Sequence, residues 1–451
     1  MSIYRAKRLR LDVPDEVVSL IKRINRHKYQ AYLVGGSVRD RILKREIYDW
    51  DVATSAPPAL IMRLFKRTYP TGLKHGTVTV LYKGLKFEVT TFRSESVYKD
   101  GRHPEEVRFG VDIYEDLSRR DFTINSIAYN PIQNEIIDPY GGLKDIERRL
   151  IRCVGRAVDR FSEDGLRCIR AIRFAAVLNF KLHRDILPAI RETIPVFMKV
   201  SIERVREEFL KLLSAEKPSR GIIYLHKSGI LEKILPELSS SIGFVQNRWH
   251  KHDLFTHSLK IVDYLPRTDP ELRLIGLLHD IAKPICKTGP TEDATYYGHD
   301  SKGAEMVEEI FKRFKFSNKS IERARLIVAN HMIGYKSDWS DAAIRRLMRR
   351  LNRETYTIIE FQKADVMARG TSVKSSIRLL NELKERVEML ERESSALNLH
   401  QLKVDGNDVM KIKDITPSPE VGRILKRLME MVIERPELNR RDRLLRLIKR
   451  V

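Results

Sequence analysis

Leu33-Val34-Gly35-Gly36-Ser37-Val38-Arg39-Asp40, followed by Asp49-Trp50-Asp51, is the stretch on which the reading of this chain turns. A glycine pair opens a turn, and a short basic helix follows. Two carboxylates then stand one residue apart. Side chains at i and i+2 of a strand face the same way, about 7 Å apart along the backbone. Two aspartates so placed can share divalent metal ions. With no Cβ in the way, Gly35-Gly36 can bring backbone N–H groups close to a triphosphate. Alone, a Gly-Gly is a turn, and an Asp-x-Asp is a solvated pair or a cap. Together, at this spacing, they point to metal-assisted transfer of a nucleotidyl group.

The arrangement resembles the polymerase-beta-like nucleotidyltransferases. The whole string is similar to one branch, the bacterial-type (class II) CCA-adding tRNA nucleotidyltransferases and the related poly(A) polymerases. The likeness continues, in family order, through Glu88-Val89-Thr90-Thr91-Phe92-Arg93, Arg119-Arg120-Asp121-Phe122-Thr123-Ile124-Asn125, Asp138-Pro139-Tyr140-Gly141-Gly142 and Arg160-Phe161-Ser162-Glu163-Asp164-Gly165-Leu166-Arg167. It implies an α+β chain: a head with a small mixed sheet and helices, then an elongated all-α body containing an HD domain. The expected division is a nucleotidyltransferase head at 1–150 and a helical neck binding RNA and nucleotide at 151–245. An HD domain follows at 246–370, and a C-terminal helical tail at 371–451.

Composition agrees with such a reading. A chain of 451 residues exceeds one ordinary core, and 42% apolar residues are ample for folding. Lys and Arg number 84 against 61 Asp and Glu, a net charge of +23. That balance suits a polyanionic partner, because neutralising phosphates releases counterions. Cys153, Cys168 and Cys286 are too few for a disulfide framework or a Cys-rich zinc site, and read as reduced thiols of a cytoplasmic protein. No run of about 18 apolar residues suggests a membrane span, and the N-terminus has no signal-peptide core. Residues 77–82 and 85–91 flank Lys83-Gly84 and read as a hairpin. Strand-like patterning ends near residue 140 and helical patterning follows. Pro417-Ser418-Pro419 closes a linker before a final helix.

Asp49 and Asp51 are the expected catalytic carboxylates. They suit Mg²⁺, which prefers carboxylate and phosphate oxygens. Paired ions would activate a 3′ hydroxyl and stabilise pyrophosphate. Glu88, on the next strand, is either a third carboxylate or a surface residue. Gly35, Gly36 and Arg39 are expected at the triphosphate. The resemblance implies that Arg119, Arg120, Asp121 and Asn125 contact ribose and phosphates. Glu163, Asp164, Arg167, Arg170 and Arg173 are expected on one helix, with Asp164 and Arg167 on a shared face. An acid and a guanidinium fork match the Watson–Crick edge of a base. Their likeness to the family's Glu-Asp-x-x-Arg motif implies selection of CTP, then ATP, without a template. An intrahelical salt bridge is the plainer alternative. The polar segment 93–104 occupies the place of a mobile loop that the family needs for the final A. Residues 201–208 match its neck helix, read as structural.

The second half carries His257, His279-Asp280, His299, His331 and Asp365 in helical context. Imidazole and carboxylate suit transition metals, and the order is similar to the HD phosphohydrolases. His257, His279, Asp280 and Asp365 are the expected ligands, of Ni²⁺ or Mn²⁺ for example, with His299 and His331 available to a second ion. Basic amphipathic stretches at 344–350 and 440–446 suit the tRNA backbone. The expected partners are tRNA, CTP and ATP, with no membrane. The rivals are a poly(A) polymerase, and an HD metallophosphohydrolase whose head only binds nucleotide or RNA.

Overall fold

β-Branched and aromatic residues concentrate between residues 31 and 92, and five of the eight strands of the main sheet are built there. The computed structural model describes residues 7–98, 104–394 and 402–450. The chain divides into two compact units, Met1–Ser239 and Ser240–Val451.

The strands of the first unit are β1 (Lys7–Arg8), β2 (Ala31–Val34), β3 (Asp49–Thr54), β4 (Thr68–Gly72), β5 (Thr77–Tyr82), β6 (Leu85–Thr91), β7 (Arg93–Tyr98), β8 (Pro104–Phe109), β9 (Ala128–Asn130), β10 (Glu135–Ile137), β11 (Leu150–Ile151) and β12 (Lys181–Leu182). Eight form one mixed sheet in the order β1-β10-β9-β2-β3-β6-β5-β4. The β3–β6 pair is parallel and sets Asp49 opposite Lys86 and Asp51 opposite Glu88. The four polar side chains therefore share one face, while Trp50, Val52, Phe87 and Val89 alternate into the core. The helix Asp15–Asn25 buries Val17, Leu20, Ile21 and Ile24 completely.

The expected hairpin is present as β5–β6. Its turn, Lys83-Gly84, has both φ angles positive, the conformation a two-residue hairpin favours. β7 and β8 pair as a separate ribbon. Residues 99–103 of the expected mobile loop lie outside the described residues. The strand pattern does not end near residue 140: β11 and β12 form a small parallel pair. Two-residue strands are too short to show an alternation in sequence.

The named elements of the second unit are helical. The helix after Pro417-Ser418 spans Pro419–Glu434, with Pro419 in its first turn, where a missing N–H costs nothing. It is not the final helix, since Arg441–Arg450 follows. Val409, Leu428, Leu444 and Ile448 bind these last helices into one apolar cluster. Among the described residues no helix is long and apolar enough to cross a membrane.

Candidate functional site

In the head, a cleft of about 740 Å³ is lined by Gly35, Gly36, Asp51 and Glu88, with eight arginines. β2 leads into the helix Gly35–Ile42, whose first residues are the glycines, and β3 carries the aspartates. Ser37 locks the two elements together: Asp51 N–H donates to its Oγ at 2.7 Å, and Oγ donates to the Asp49 carbonyl at 3.3 Å. Gly35 has φ +65°, and a Cβ there would lie 2.7 Å from an Arg120 nitrogen. A Cβ on Gly36 would approach Asp51 Oδ2 to 3.3 Å. The turn is bare because a carboxylate and a guanidinium stand against it.

Burial holds the Asp51 carboxyl above its ordinary pKa, and Glu88 and Asp49 add to this, although Arg120 and Arg39 oppose it. Crowded carboxylates at one sheet position fit a divalent cation. Thr79 Oγ1 donates to Glu88 at 2.9 Å and so orients it beside Asp51. Lys86 Nζ stands 3.2 Å from Asp49 and 3.5 Å from Glu88. The sequence reading missed this lysine, though its place two residues before Glu88 was visible.

The arginines are held by a connected network. Arg39 makes a two-pronged pair with Asp40 at 2.9 and 2.7 Å and donates to Asn125 Oδ1. Asn125 donates to Asp121 Oδ1 at 3.0 Å, and Arg170 forks onto Asp121 Oδ2 at 2.9 and 2.7 Å. The polar atoms of Asp121 and Asn125 are thus engaged with protein partners rather than presented for a hydroxyl. Arg119 and Arg120 converge on the fully buried Asp116, at 2.7 and 3.1 Å. Asp116 was not singled out from sequence, although its spacing of three and four residues from the two arginines is a helical pairing signal.

Asp164 and Arg167 do not share a helix face as expected. The helix Ala157–Glu163 ends before Asp164, which is extended (φ −142°, ψ 108°), and a new helix runs Leu166–Leu178. Between the two helices Gly165 packs on the chain at Val196–Phe197. A Cβ there would sit 2.7 Å from the Val196 carbonyl and from Phe197 Cα. Arg167 pairs with Glu163 and donates to the carbonyls of Arg160 and Arg119, whereas Asp164 faces Arg204 at 3.3 Å. Arg204 lies on the neck helix Ile202–Leu213 and lines the cleft. From the same helix Glu208 faces Arg173 at 2.6 Å and Arg170 at 3.8 Å. That helix is therefore part of the site, which its amphipathic sequence did not reveal.

Asp121 is buried, which disfavours its charge. Arg170 and Asn125 outweigh that and bring its pKa down to about 2. A carboxyl depressed by folding adds stability above its unfolded pKa and loses it as pH falls through the folded value. The loss is thus expected between about pH 4 and pH 2 and amounts to about 2 kcal/mol. Urea unfolding of wild type and Asp121→Asn across this range checks it. The variant should lose less stability on acidification, and parallel curves would refute the assignment.

In the second unit, six residues from five helical segments converge. His257 lies within the helix Leu254–Tyr264, and His279 caps Pro270–Leu278, with Asp280 next. His299 begins His299–Arg313, His331 follows Asn318–Ala329, and Asp365 lies in Thr355–Arg369. His257 Nε2 is 3.0 Å from Asp365, and His279 Nε2 is 3.0 Å from Asp280 Oδ2. His299 and His331 approach Asp280 Oδ1 at 3.3 and 3.5 Å. Every expected ligand is therefore assembled, in two overlapping sets, His257–His279–Asp365 and His279–Asp280–His331.

The tautomers fit metal binding. Nδ1 of His279, His299 and His331 lies 2.9, 2.6 and 2.7 Å from the carbonyls of Gly276, Tyr296 and Val328. Donation there turns Nε2 inward, towards the carboxylates, where a metal ion would take the place of a proton. His257, His279 and His299 Nε2 and Asp280 Oδ1 are buried without a hydrogen-bond partner. Such orphaned polar atoms are costly unless a ligand takes them. Burial opposes charge on His279, yet Asp280 and Asp365 lift its pKa to about 9. Asp280 and Asp365 are held well below the ordinary carboxylate range by their histidine neighbours, against burial. Lys283 Nζ, buried 2.7 Å from Asp280 Oδ2, completes the cluster.

Three family models match the chain: a Poly A polymerase head domain at residues 31–152, a probable RNA- and SrmB-binding site of polymerase A at 179–242, and an HD domain at 254–367. The CCA-adding enzyme of Lactobacillus johnsonii is 47% identical over 215 residues, 48% of this chain and 54% of that enzyme. The chain thus spans about half the length of that relative in the match. The CCA-adding enzyme of Enterococcus faecalis is 31% identical over 435 residues, 96% of this chain and 95% of the relative. Among solved structures, the Bacillus stearothermophilus CCA-adding enzyme in complex with CTP is 28% identical, with a TM-score of 0.67 over 97% of this chain and 96% of that one. A tRNA nucleotidyltransferase complexed with a primer tRNA and an incoming ATP analogue is 22% identical (TM-score 0.55, covering 83% and 99%) and shares the fold. Both the nucleotidyltransferase head and the HD domain imply dependence on divalent metal. With nearly the whole chain aligned to the Enterococcus enzyme, this protein belongs to the bacterial-type CCA-adding enzymes.

Proposed function

We propose that this protein completes tRNA 3′ ends by adding CCA from CTP and ATP. The observation that carries the reading is the single cleft joining the carboxylates of β3 and β6 to the glycine turn and the arginine network. Asp49 and Asp51 would hold Mg²⁺, which supplies charge neutralisation at the phosphates and lowers the pKa of the attacking hydroxyl. Gly35 and Gly36 leave room for the triphosphate, and Arg39, Arg119 and Arg120 bind its oxygens as charged donors. Asp121 and Asn125 act through Arg39 and Arg170, fixing guanidinium direction before the nucleotide arrives.

Asp164 with Arg204, and Arg167 beside them, form the wall that reads the base. The role rests on an acceptor and donor forks meeting at the cleft surface. Asp164→Ala is expected to relax discrimination of CTP and ATP against UTP and GTP by about 10- to 100-fold, since unpaired base-edge groups carry selectivity. Single-nucleotide incorporation with each of the four triphosphates measures it. Unchanged selectivity would reduce Asp164 to a partner for Leu166 N–H, which it holds at 3.0 Å.

The basic helices Asp341–Leu351 and Arg441–Arg450 bury apolar faces and suit contacts to tRNA phosphates. The four-part division at residues 150, 245 and 370 remains our functional partition. Three unpaired thiols support a reducing, cytoplasmic setting. The HD cluster would hold one or two transition-metal ions such as Ni²⁺ or Mn²⁺, giving a separate phosphohydrolase. The test of the main reading is incorporation on tRNA ending before CCA, with sequenced products. Ordered C, C and A supports it, and a homopolymer of A would instead establish a poly(A) polymerase.

A further inference from the structure

A second concavity lies on the head, about 430 Å³ in volume. Arg23, Lys66, Arg67 and Lys83 surround it with Phe65 and Tyr82, and no lining residue is acidic. Among the described residues none of the four cations has a carboxylate partner. Two rest against rings instead. The Arg23 guanidinium lies 5.3 Å from the centroid of Phe65, and Lys83 Nζ lies 5.6 Å from that of Tyr82. The rings meet edge to face at 5.3 Å, and Tyr82 OH is 3.0 Å from Ser19 Oγ. By strand alternation, Tyr82 leaves the sheet on the face opposite Glu88. This is therefore not an extension of the catalytic cleft.

Four cations around one hollow repel one another, and an aromatic contact neutralises none of them. An external anion relieves the repulsion. Spread charges suit successive phosphates better than one point anion, and a half-exposed tyrosine ring gives a base a surface to stack on. We propose that this cavity binds a segment of the RNA substrate through its phosphodiester backbone, as a second anchoring site on the head. The inference rests on tRNA being the substrate.

The test uses the full chain with Lys66→Gln and Arg67→Gln together, both exposed side chains outside the catalytic cleft. A control pair, Lys144→Gln with Arg148→Gln, removes the same net charge from exposed positions of the same unit, outside both cavities and outside the segment matched to RNA binding. Filter binding to tRNA is measured across salt concentrations, with KM for CTP measured alongside. The cavity pair should weaken tRNA binding about 3- to 10-fold and flatten the salt slope by about 1 to 2. The control pair should change binding less than twofold, and KM for CTP should not move. Equal weakening by both pairs would mean only general charge, and would overturn the site. So would unchanged tRNA affinity together with weakened binding of free ATP or pyrophosphate, which would mark a small-anion pocket. Wild-type protein that fails to bind tRNA overturns the substrate reading and the site together. Wild-type binding with an unaffected cavity pair overturns the site alone.

Discussion

Asp51→Ala is expected to lower nucleotide incorporation at least about a thousandfold, equivalent to about 4 kcal/mol of transition-state stabilisation. Asp49→Ala should follow it, because the two carboxylates share one face of β3. The Asp51 loss can be told apart from misfolding by its sign on stability. Burial and the neighbouring Glu88 and Asp49 raise the Asp51 pKa, so its charged form is a burden on the metal-free fold. Asp51→Asn should therefore raise the unfolding temperature at neutral pH without Mg²⁺. Adding Mg²⁺ should stabilise wild type by mass action and stabilise the variant less. Near-normal turnover in Asp51→Ala at saturating Mg²⁺ would remove the residue from the chemistry.

Asp280→Ala is expected to strip the second unit of tightly held transition metal and to abolish phosphoester hydrolysis there, by about 100-fold or more. The reason is geometric. Asp280 is the residue whose two oxygens face different histidines, His279 on one side and His299 with His331 on the other. Elemental analysis and hydrolysis of a generic phosphodiester, with Mn²⁺ or Ni²⁺ supplied, measure both effects. CCA addition should stay within about twofold of wild type, since no ligand of this cluster lines the head cleft. Wild-type protein with no bound metal, and hydrolysis no greater than in the variant, would make the cluster a structural relic.

Much of the fold was legible because its signals are local. An Asn-Gly-like turn, Lys83-Gly84, between two β-branched runs can only be read as a hairpin, and it is one. Asp-x-Asp on a strand puts both carboxylates on one face whatever else the chain does. The HD residues were recognisable as ligand types in the right order, and each arrives at the cluster.

What sequence did not reveal depends on contacts between distant segments. Residues 160–174 read as one helix because their periodicity is unbroken. The break falls at Asp164-Gly165, where the backbone of Val196–Phe197, about thirty residues on, packs too close for any Cβ. Lys86 meets Asp49 only through the parallel pairing of β3 with β6, and Arg204 meets Asp164 only once the neck helix packs against the helix Leu166–Leu178. Asp116 becomes the anchor of two arginines because it is fully buried between them. The sequence by itself determined which residues carry charge, which turns are possible and which faces are apolar, since these follow from covalent structure and backbone sterics. Only the tertiary structure decided which charge answers which, because that depends on burial and on distances across the chain, and a buried charge must find its partner wherever packing places it.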